Sequence, residues 1–321
     1  MKTFCLPVWI CLSALWLASC GGPVTEEVSM PTLPAYASAS DELITLRKDD
    51  LEVVLTPTLG GRISALHFHG EPVIIAAADT PNPNGWGNVF WPSPQSMWGW
   101  PPLAALDSDA YQLDVQDDRI ILTSAREPRT HLVVEKHYDF IAADNVLRIL
   151  YRVSNVGKKE LTLAPWEITR VPPAGLAFFP RGETTFYAGD FAALPVTEAE
   201  GIVWYAMGDA EAHGPQNHKL MTHGREGWLA WLRGNTLLVK TFTDVPAELM
   251  APNEGEIEIY SDASHTYVEL EQQGILTTLQ PGESLDWTVH WVFAQVEADL
   301  HHSPQALVQQ ARALAAKAPG R

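Results

Sequence analysis

The 321-residue sequence has few cysteines and few basic residues, and both deficits narrow the classes of protein it can be. The three cysteines, Cys5, Cys11 and Cys20, all lie within the first 20 residues. The rest of the chain therefore offers no thiol nucleophile, disulfide or thiolate metal ligand. Lys and Arg number 21 against 39 Asp and Glu, and the net charge of −18 has the wrong sign for holding a phosphate backbone. Nucleic acid is not an expected partner.

Several catalytic motifs are missing from the sequence as well. It contains no serine-hydrolase elbow, no phosphate-binding loop and no dinucleotide glycine fingerprint after a strand. His67 and His69 alternate along one predicted strand, as histidines do in some zinc sites. No clearly matched carboxylate accompanies them, so we interpret them as exposed histidines. No metal and no other cofactor is predicted.

The amino-terminal segment predicts export and lipid attachment. Phe4 to Ala18 is an uncharged stretch of 15 residues, shorter than the roughly 20 apolar residues of a spanning helix. It runs into Leu-Ala-Ser-Cys-Gly at 17–21, which resembles the processing box of bacterial lipoproteins. We expect a signal peptide at residues 1–19, a lipid on Cys20 and a flexible tether over 20–40. The same resemblance implies a bacterial envelope protein that is anchored in the outer membrane and faces the periplasm.

From residue 41 to residue 298, short β-type runs alternate with Gly, Pro, Asn and Asp. Leu132 to Phe140 and Val146 to Ser154 are clear examples, and turns such as Asn155-Val156-Gly157 separate consecutive runs. No second linker interrupts the pattern. The sequence therefore predicts one all-β domain, a large antiparallel β-sandwich.

The hydrophobic period changes at the carboxyl end. Ser303 suits a helix N-cap and Pro304 the first helical position. Apolar residues then recur at i, i+4, i+7 and i+8 from Leu307. We expect a C-terminal helix over 303–318 that packs on the sandwich.

The segment from Gly85 to Pro102 holds four tryptophans and four prolines. Because proline disfavours a central strand or a helix, the composition predicts a long, stiff loop. Broad indole faces suit the C–H face of a sugar ring. The alternative is that these aromatic residues are buried and form part of the hydrophobic core at one end of the sandwich. The candidate ligand-binding tryptophans are Trp86, Trp91, Trp98 and Trp100.

Three glutamates on predicted strands are candidate acid–base groups. Glu269 and Glu271 flank Leu270, so alternation puts both carboxylates on one face, where each raises the proton affinity of the other. An exposed polar face is the alternative. Glu167 lies in the apolar run Trp166 to Arg170, where an unpaired charge is costly. The alternative for Glu167 is a structural ion pair with an arginine.

His213 and His218 lie in a stretch interrupted by Gly and Pro. A loop can present such side chains to a ligand, which makes them candidate site histidines. Exposure at a loop or sheet edge is the alternative interpretation.

Segments at both ends of the β-rich region resemble the galactose mutarotase (aldose 1-epimerase) superfamily. Gly60-Gly61-Arg62-Ile63-Ser64-Ala65-Leu66 is similar to its opening strand pair. Tyr267 to Glu271, followed by Leu279-Gln280-Pro281-Gly282-Glu283, is similar to its carboxylate-bearing strand and the turn after it. The Trp-Pro segment looks like a bacterial branch of unknown function that includes secreted proteins and lipoproteins.

The resemblance implies a β-supersandwich with a carbohydrate ligand on its concave face. Glu269 matches the glutamate that takes the anomeric hydroxyl proton, with Glu271 as the alternative register. The strand expected to carry the family's histidine reads Ala164-Pro165-Trp166-Glu167, so Glu167, His213 or His218 would have to supply the acid.

Three hypotheses follow. The chain is an epimerase-like enzyme, or a carbohydrate binder that keeps Arg62 and the tryptophan platform, or an envelope scaffold whose Trp-rich segment contacts protein.

Overall fold

The alternating apolar pattern becomes strands in the computed structural model, which describes residues 30–40, 42–208, 214–297, 300 and 303–318. Every second residue of Leu51–Thr56 is buried, because successive side chains of a strand point to opposite faces. In chain order the strands are β1 (Ala37–Ser40), β2 (Leu43–Lys48), β3 (Leu51–Thr56), β4 (Arg62–Phe68), β5 (Glu71–Pro72), β6 (Asn88–Ser93), β7 (Gln112–Gln116), β8 (Arg119–Thr123), β9 (Leu132–Phe140), β10 (Val146–Asn155), β11 (Leu161–Val171), β12 (Gly175–Pro180), β13 (Ala192–Ala193), β14 (Thr197–Ala199), β15 (Ile202–Met207), β16 (His218–Thr222), β17 (Trp228–Arg233), β18 (Thr236–Thr241), β19 (Ile257–Ser261), β20 (Val268–Gln273), β21 (Thr277–Leu279) and β22 (Ser284–Gln295).

These strands form two large sheets. The first has twelve strands, ordered β1-β2-β3-β4-β6-β11-β20-β19-β16-β13, with β5 beside β4 and β21 beside β11. The second has ten, ordered β14-β15-β12-β17-β18-β22-β10-β9-β8-β7. Neighbours run antiparallel, whereas β13 runs parallel to β16. The predicted all-β sandwich is confirmed, with β13 as the exception to its antiparallel pairing.

Aromatic side chains join the two sheets in the core. Phe90 of β6 stacks on Tyr151 of β10, with ring centroids 5.1 Å apart. Tyr151 stacks in turn on Trp287 of β22 at 5.6 Å. Burial of an aromatic side chain of this size contributes about 1.5–3 kcal/mol, so each ring in this stack favours the closed sandwich.

Within the described ranges, helices are short except at the carboxyl end. A helix at Ala104–Asp107 and 3-10 helices at Ala77–Asp79, Gln95–Met97 and Ala247–Leu249 lie in connections between strands. The C-terminal helix spans Pro304–Ala315. It packs on the ten-stranded sheet, and its predicted apolar face is buried against a cluster that includes Val239 and Val292. The predicted C-terminal helix is confirmed.

The Trp-Pro segment is not all loop, which corrects the sequence prediction. Asn88–Ser93 forms β6, a central strand that contains Pro92. Pro92 lies opposite Pro165, and Arg170 N donates to Gly87 O in the same ladder. Hydrogen-bonded and non-hydrogen-bonded pairs alternate along an antiparallel ladder, so Pro92 and Pro165 form a non-hydrogen-bonded pair. Neither proline therefore has to donate an N–H to the other strand.

The predicted tether ends earlier than expected. Ala37–Ser40 is β1 and pairs antiparallel with β2. The predicted signal peptide, Cys20 and the first part of the tether lie outside the described residues. Among the described helices, none is long and apolar enough to cross a membrane.

Candidate functional site

A cavity of about 380 Å³ opens on the face of the twelve-stranded sheet that is turned away from the core. We call it the Trp groove. Its floor comes from β6, β11, β20, β19 and β16, which are neighbours in the sheet. Its volume is within the range of small-ligand pockets. The aromatic residues that line it are Trp91, Trp100, Trp166, Phe191, Tyr260 and Tyr267.

Strand register determines which side chains reach the Trp groove. Arg170 of β11 is opposite Glu269 of β20, and Glu269 is opposite Tyr260 of β19. Residues separated by an even number of positions in a strand point to the same face. Trp166 therefore shares a face with Arg170, and Glu271 shares a face with Glu269. All five line the groove. The prediction that Glu269 and Glu271 share one face is confirmed by this register.

The four tryptophans of the Trp-Pro segment have different positions. Trp91 and Trp100 line the Trp groove, and Trp100 is 62% exposed. Trp98 packs edge-on against Trp91 from behind, with centroids 5.7 Å apart, and donates from Nε1 to Pro92 O. Trp86 is buried with Tyr267 and lies beneath the Arg62 guanidinium. Two of the predicted platform residues therefore line the groove and two support it.

Asp107 holds the Trp91 indole in place. Trp91 Nε1 donates to Asp107 Oδ1 over 2.8 Å, and Arg62 Nη2 is 3.1 Å from Asp107 Oδ2. Both charged side chains are buried. Arg62, predicted to bind ligand, does not line the Trp groove. Instead it orients Asp107, which orients Trp91.

Arg170 and Glu269 form a buried ion pair on the groove wall. Arg170 Nε donates to Glu269 Oε1 over 2.8 Å, and Arg170 Nη1 donates to Trp86 O. The guanidinium also lies 5.6 Å from the centroid of Trp91. Charge-assisted bonds of this kind are stronger than neutral ones, so they hold both side chains at a defined position beside the cavity.

Lys219 lies between two buried carboxylates. Its Nζ is 2.6 Å from Glu258 Oε2 and 3.4 Å from Glu271 Oε1. Burial raises the pKa of Glu271 to about 8 and that of Glu258 to about 7, although the Lys219 cation lowers both. For Lys219, burial acts against the charge, but the two carboxylates outweigh it and hold its pKa above the ordinary value.

Lys219, Glu258 and Glu271 together carry no net charge when the two glutamates share one proton. One lysine cation with two carboxylates would leave a net negative charge in a buried site, and binding a proton removes it. Within the described part of the chain, Glu271 Oε2 and Trp166 Nε1 are buried and make no hydrogen bond. The Trp groove is therefore lined by a residue that holds a proton near neutral pH, while the two unpartnered polar atoms lie buried beneath its surface.

Glu167 lies on the opposite face of β11, between the two sheets. Its Oε1 is 2.9 Å from Lys240 Nζ, and both side chains are fully buried. Tyr151 donates to its other oxygen, and Gln272 and Trp291 donate to Oε1. Glu167 is thus the centre of a buried polar network and does not reach the Trp groove. Glu167 thus forms a structural ion pair, which was the alternative interpretation of this residue, but its partner is Lys240 and not an arginine.

The two candidate histidines are not brought to the Trp groove. His218 begins β16 and alternates with Lys219, so Lys219 faces the cavity and His218 points to the other side. Its Nδ1 lies 3.0 Å from Gln216 O. His213 lies outside the described residues. Within the part of the chain that is described, no group of three or more His, Cys, Asp or Glu side chains is arranged to hold a metal ion.

Sequence reasoning missed Lys219, Tyr260 and the amides at the rim. Lys219 lies between His218 and Leu220 in a short strand, and a buried lysine in such a strand is a signal of a paired charge. Tyr260 reaches the groove because β19 pairs with β20 and sets it opposite Glu269. The rim amides Asn82, Asn84 and Gln95 come from connections whose position depends on the fold.

Solved structures with similar folds define the class. The chain matches a galactose mutarotase-like protein from Lactobacillus casei with a TM-score of 0.55 and 12% identity, over 78% of this chain and 100% of the other. A galactose mutarotase related enzyme from Lactobacillus acidophilus matches with a TM-score of 0.53 and 10% identity, over 80% and 98%. The fold is therefore that of the galactose mutarotase-like proteins, as the sequence resemblance implied.

A third structure is a TPR-domain containing protein from Parabacteroides distasonis. It matches with a TM-score of 0.59 and 17% identity, and the match covers 81% of this chain but 48% of that one. The model of the family described as "Domain of unknown function (DUF4380)" matches residues 42–294, and the chain belongs to this family. None of the curated proteins matches the chain.

Proposed function

We propose that the chain binds carbohydrate in the Trp groove. The observation that carries the proposal is the exposed Trp100 indole, which lines the same cavity as the Arg170–Glu269 pair. An indole offers a broad face for the C–H side of a sugar ring, and charged side chains at fixed positions bond its hydroxyl groups. The mutarotase-like fold supports the same ligand class.

The charges in the Trp groove favour a neutral saccharide. Arg170 is paired with Glu269, and Lys219 is paired with Glu258 and Glu271. Neither cation is left to neutralise a charge on the ligand. The amides of Asn82, Asn84 and Gln95, which line the same groove, supply the mixed donor and acceptor character that suits hydroxyl groups.

The test is calorimetric titration with neutral mono- to trisaccharides. Trp100→Ala removes the exposed indole, and we expect affinity for the bound saccharide to fall about tenfold or more. Leu43→Ala is the matched control, because Leu43 is also an exposed apolar residue but lies on β2, at the far side of the sheet. Saccharide binding that is equal in Trp100→Ala and Leu43→Ala contradicts the proposal.

A second candidate function is acid–base chemistry on the bound sugar, favoured by the different environments of Glu269 and Glu271. Glu269 is paired with the Arg170 cation, and Glu271 has a pKa raised by burial to about 8. Glu269 would take the proton of the anomeric hydroxyl while the bond from the anomeric carbon to the ring oxygen breaks. Glu271 would give its proton to that oxygen, which opens the ring, and the reverse steps close it on either face.

Polarimetry tests this second function with a panel of freshly dissolved aldoses. Glu269→Gln and Glu271→Gln should each lower the rate of mutarotation by about a hundredfold or more. Glu248→Gln is the control, since Glu248 is an exposed glutamate outside the Trp groove. If the unmodified protein binds saccharide but does not accelerate the mutarotation of any aldose, the chain is a carbohydrate-binding protein and the proposed acid–base function is rejected.

We also propose that the chain is lipid-anchored through Cys20 in the outer membrane and faces the periplasm. The support is the cysteine at the end of an apolar amino-terminal segment. Cys20→Ser should move the protein from the membrane fraction to the soluble fraction and abolish labelling by radioactive palmitate. Cys11→Ser is the control, and this variant should remain in the membrane fraction and keep its palmitate label. Retention of label in Cys20→Ser contradicts the anchor.

A further inference from the structure

A second cavity, of about 650 Å³, lies on the other side of the Gln95–Met97 turn. Gln95 lines the Trp groove, and Met97 lines this second cavity. The loop from β8 to β9 and the turn from β10 to β11 form its walls. Four cationic side chains line it, and we call it the basic pocket: Arg126, Arg129, Lys158 and Lys159.

This concentration of cations is unusual in a chain of net charge −18. Elsewhere the basic side chains are mostly matched by carboxylates. Of the described arginines, only Arg126, Arg129 and Arg233 have no carboxylate of a described residue within ion-pair distance, and two of these three line the basic pocket. Lys158 and Lys159 have no ion pair with a described residue, and Glu160 is the one lining carboxylate among the described residues.

Both walls of the basic pocket are held by buried polar side chains. Glu127 is buried, and its Oε2 accepts from Arg129 N and from Thr130 Oγ1, each over 2.8 Å. Asn155 is buried on the other wall, and its Nδ2 donates to Lys159 O over 2.8 Å. The backbone that carries the cations is therefore anchored before any ligand arrives. Such preorganisation lowers the entropic cost of binding.

We propose that the basic pocket binds a soluble ligand that carries at least two oxyanion groups, such as phosphate, sulfate or carboxylate. Guanidinium groups pair with oxyanions in a bidentate manner, and lysines add point charges. The cations surround a concavity rather than a flat face, which favours a discrete ligand over a membrane surface. The side chains that line this site differ from those that line the Trp groove, although Arg129 Nη2 donates to Trp98 O over 2.8 Å.

The probe is sodium pyrophosphate, titrated calorimetrically into the full chain at low and at physiological ionic strength. We expect saturable binding that weakens as salt rises, because mobile ions screen the exposed cations. Lys158→Gln/Lys159→Gln should weaken pyrophosphate binding at least tenfold. The matched control is Arg225→Gln/Lys317→Gln, which removes the same two positive charges from exposed positions outside the pocket. It should weaken binding less than twofold.

Three results overturn the proposal. These are no saturable binding of pyrophosphate up to about 10 mM, an equal loss in the two double variants, and binding to phosphatidylglycerol vesicles without binding to pyrophosphate. Arg126→Gln is a second variant on the opposite wall and should also weaken binding. Trp100→Ala should leave pyrophosphate affinity unchanged, so that failure of the Trp groove and failure of the basic pocket are distinguishable.

Discussion

Glu269 and Glu271 lie two residues apart on β20 and line the same groove, but each pairs with a different cation. Glu269 accepts from Arg170 Nε over 2.8 Å, whereas Glu271 lies 3.4 Å from a lysine that Glu258 also binds. Glu269 is the carboxylate that pairs with Arg170, whereas Glu271 shares the Lys219 cation with Glu258. Burial raises the pKa of Glu271 to about 8, so this carboxyl holds a proton near neutral pH.

The raised pKa of Glu271 makes the stability of the chain pH-dependent. The pKa of Glu271 is 4.5 ordinarily and about 8 in the fold, because of burial. Between these values the folded state binds more protons than the unfolded state, so the free energy of unfolding falls as pH rises. Glu271→Gln leaves Lys219 and Glu258 as a neutral pair. The decline should therefore be shallower in the variant, by up to about 1.4 kcal/mol per pH unit.

Urea unfolding at pH 5, 6, 7 and 8 measures this slope for both proteins. Glu256 also has a pKa raised by burial to about 8, so the Glu271→Gln variant should retain a slope. The informative quantity is the difference between the two curves. Parallel curves would mean that Glu271 does not carry the proton.

The Arg170–Glu269 pair should show strong energetic coupling. Arg170→Met removes the partner of a nearly buried carboxylate, and we expect a loss of about 3 kcal/mol. Adding Glu269→Gln to the same chain removes the uncompensated charge and should recover about half of that loss. A double-mutant cycle by urea denaturation measures the coupling. Additive effects of the two substitutions would show that the pair is energetically unimportant.

Lys240→Met should destabilise the sandwich without changing the Trp groove. The substitution removes the cation 2.9 Å from Glu167 in the core, at a cost of about 3–5 kcal/mol. Arg152→Met is the control, because its pair with Asp286 is 44% exposed on both sides and should contribute about 1 kcal/mol or less. Saccharide affinity of the folded Lys240→Met protein should be unchanged. A loss of binding without a loss of stability would return Glu167 to the candidate site.

Gly60→Ala should be far more damaging than Gly70→Ala. Both glycines have positive φ, +68° and +79°, where a side chain is strained by about 1–2 kcal/mol. At Gly60 an added Cβ would lie 1.8 Å from Asp107 O, whereas at Gly70 it would meet nothing within 4 Å. The Gly60 variant must displace the helix that holds Trp91 through Asp107. Thermal unfolding of the two variants tests the difference, and similar melting temperatures would contradict it.

Strand alternation predicted part of the candidate site. It placed the carboxylates of Glu269 and Glu271 on one face. It could not say which face would be the groove, because both faces of β11 are buried. Glu167 was chosen as a site residue for being charged in an apolar strand, but such a residue can equally be satisfied by a core lysine.

The Trp-Pro segment shows a different limit. Its prolines argued for a loop, yet β6 is central because Pro92 faces Pro165 at a position that exchanges no hydrogen bond. The partner strand, far away in sequence, therefore decides whether a proline is tolerated. Composition alone indicated that tryptophans would gather there, but not that Trp91 and Trp100 would line the groove while Trp86 and Trp98 would not.

Local periodicity and turn residues were enough to establish the all-β class, the C-terminal helix and the shared face of Glu269 and Glu271, since these depend on neighbours along the chain. The pairing of Lys219 with two glutamates, the placement of Glu167 between the sheets and the gathering of four cations around the basic pocket depend on strands and loops distant in sequence. Charge pairing acts through space, so only the tertiary structure decided which ions have partners and which are left to bind a ligand.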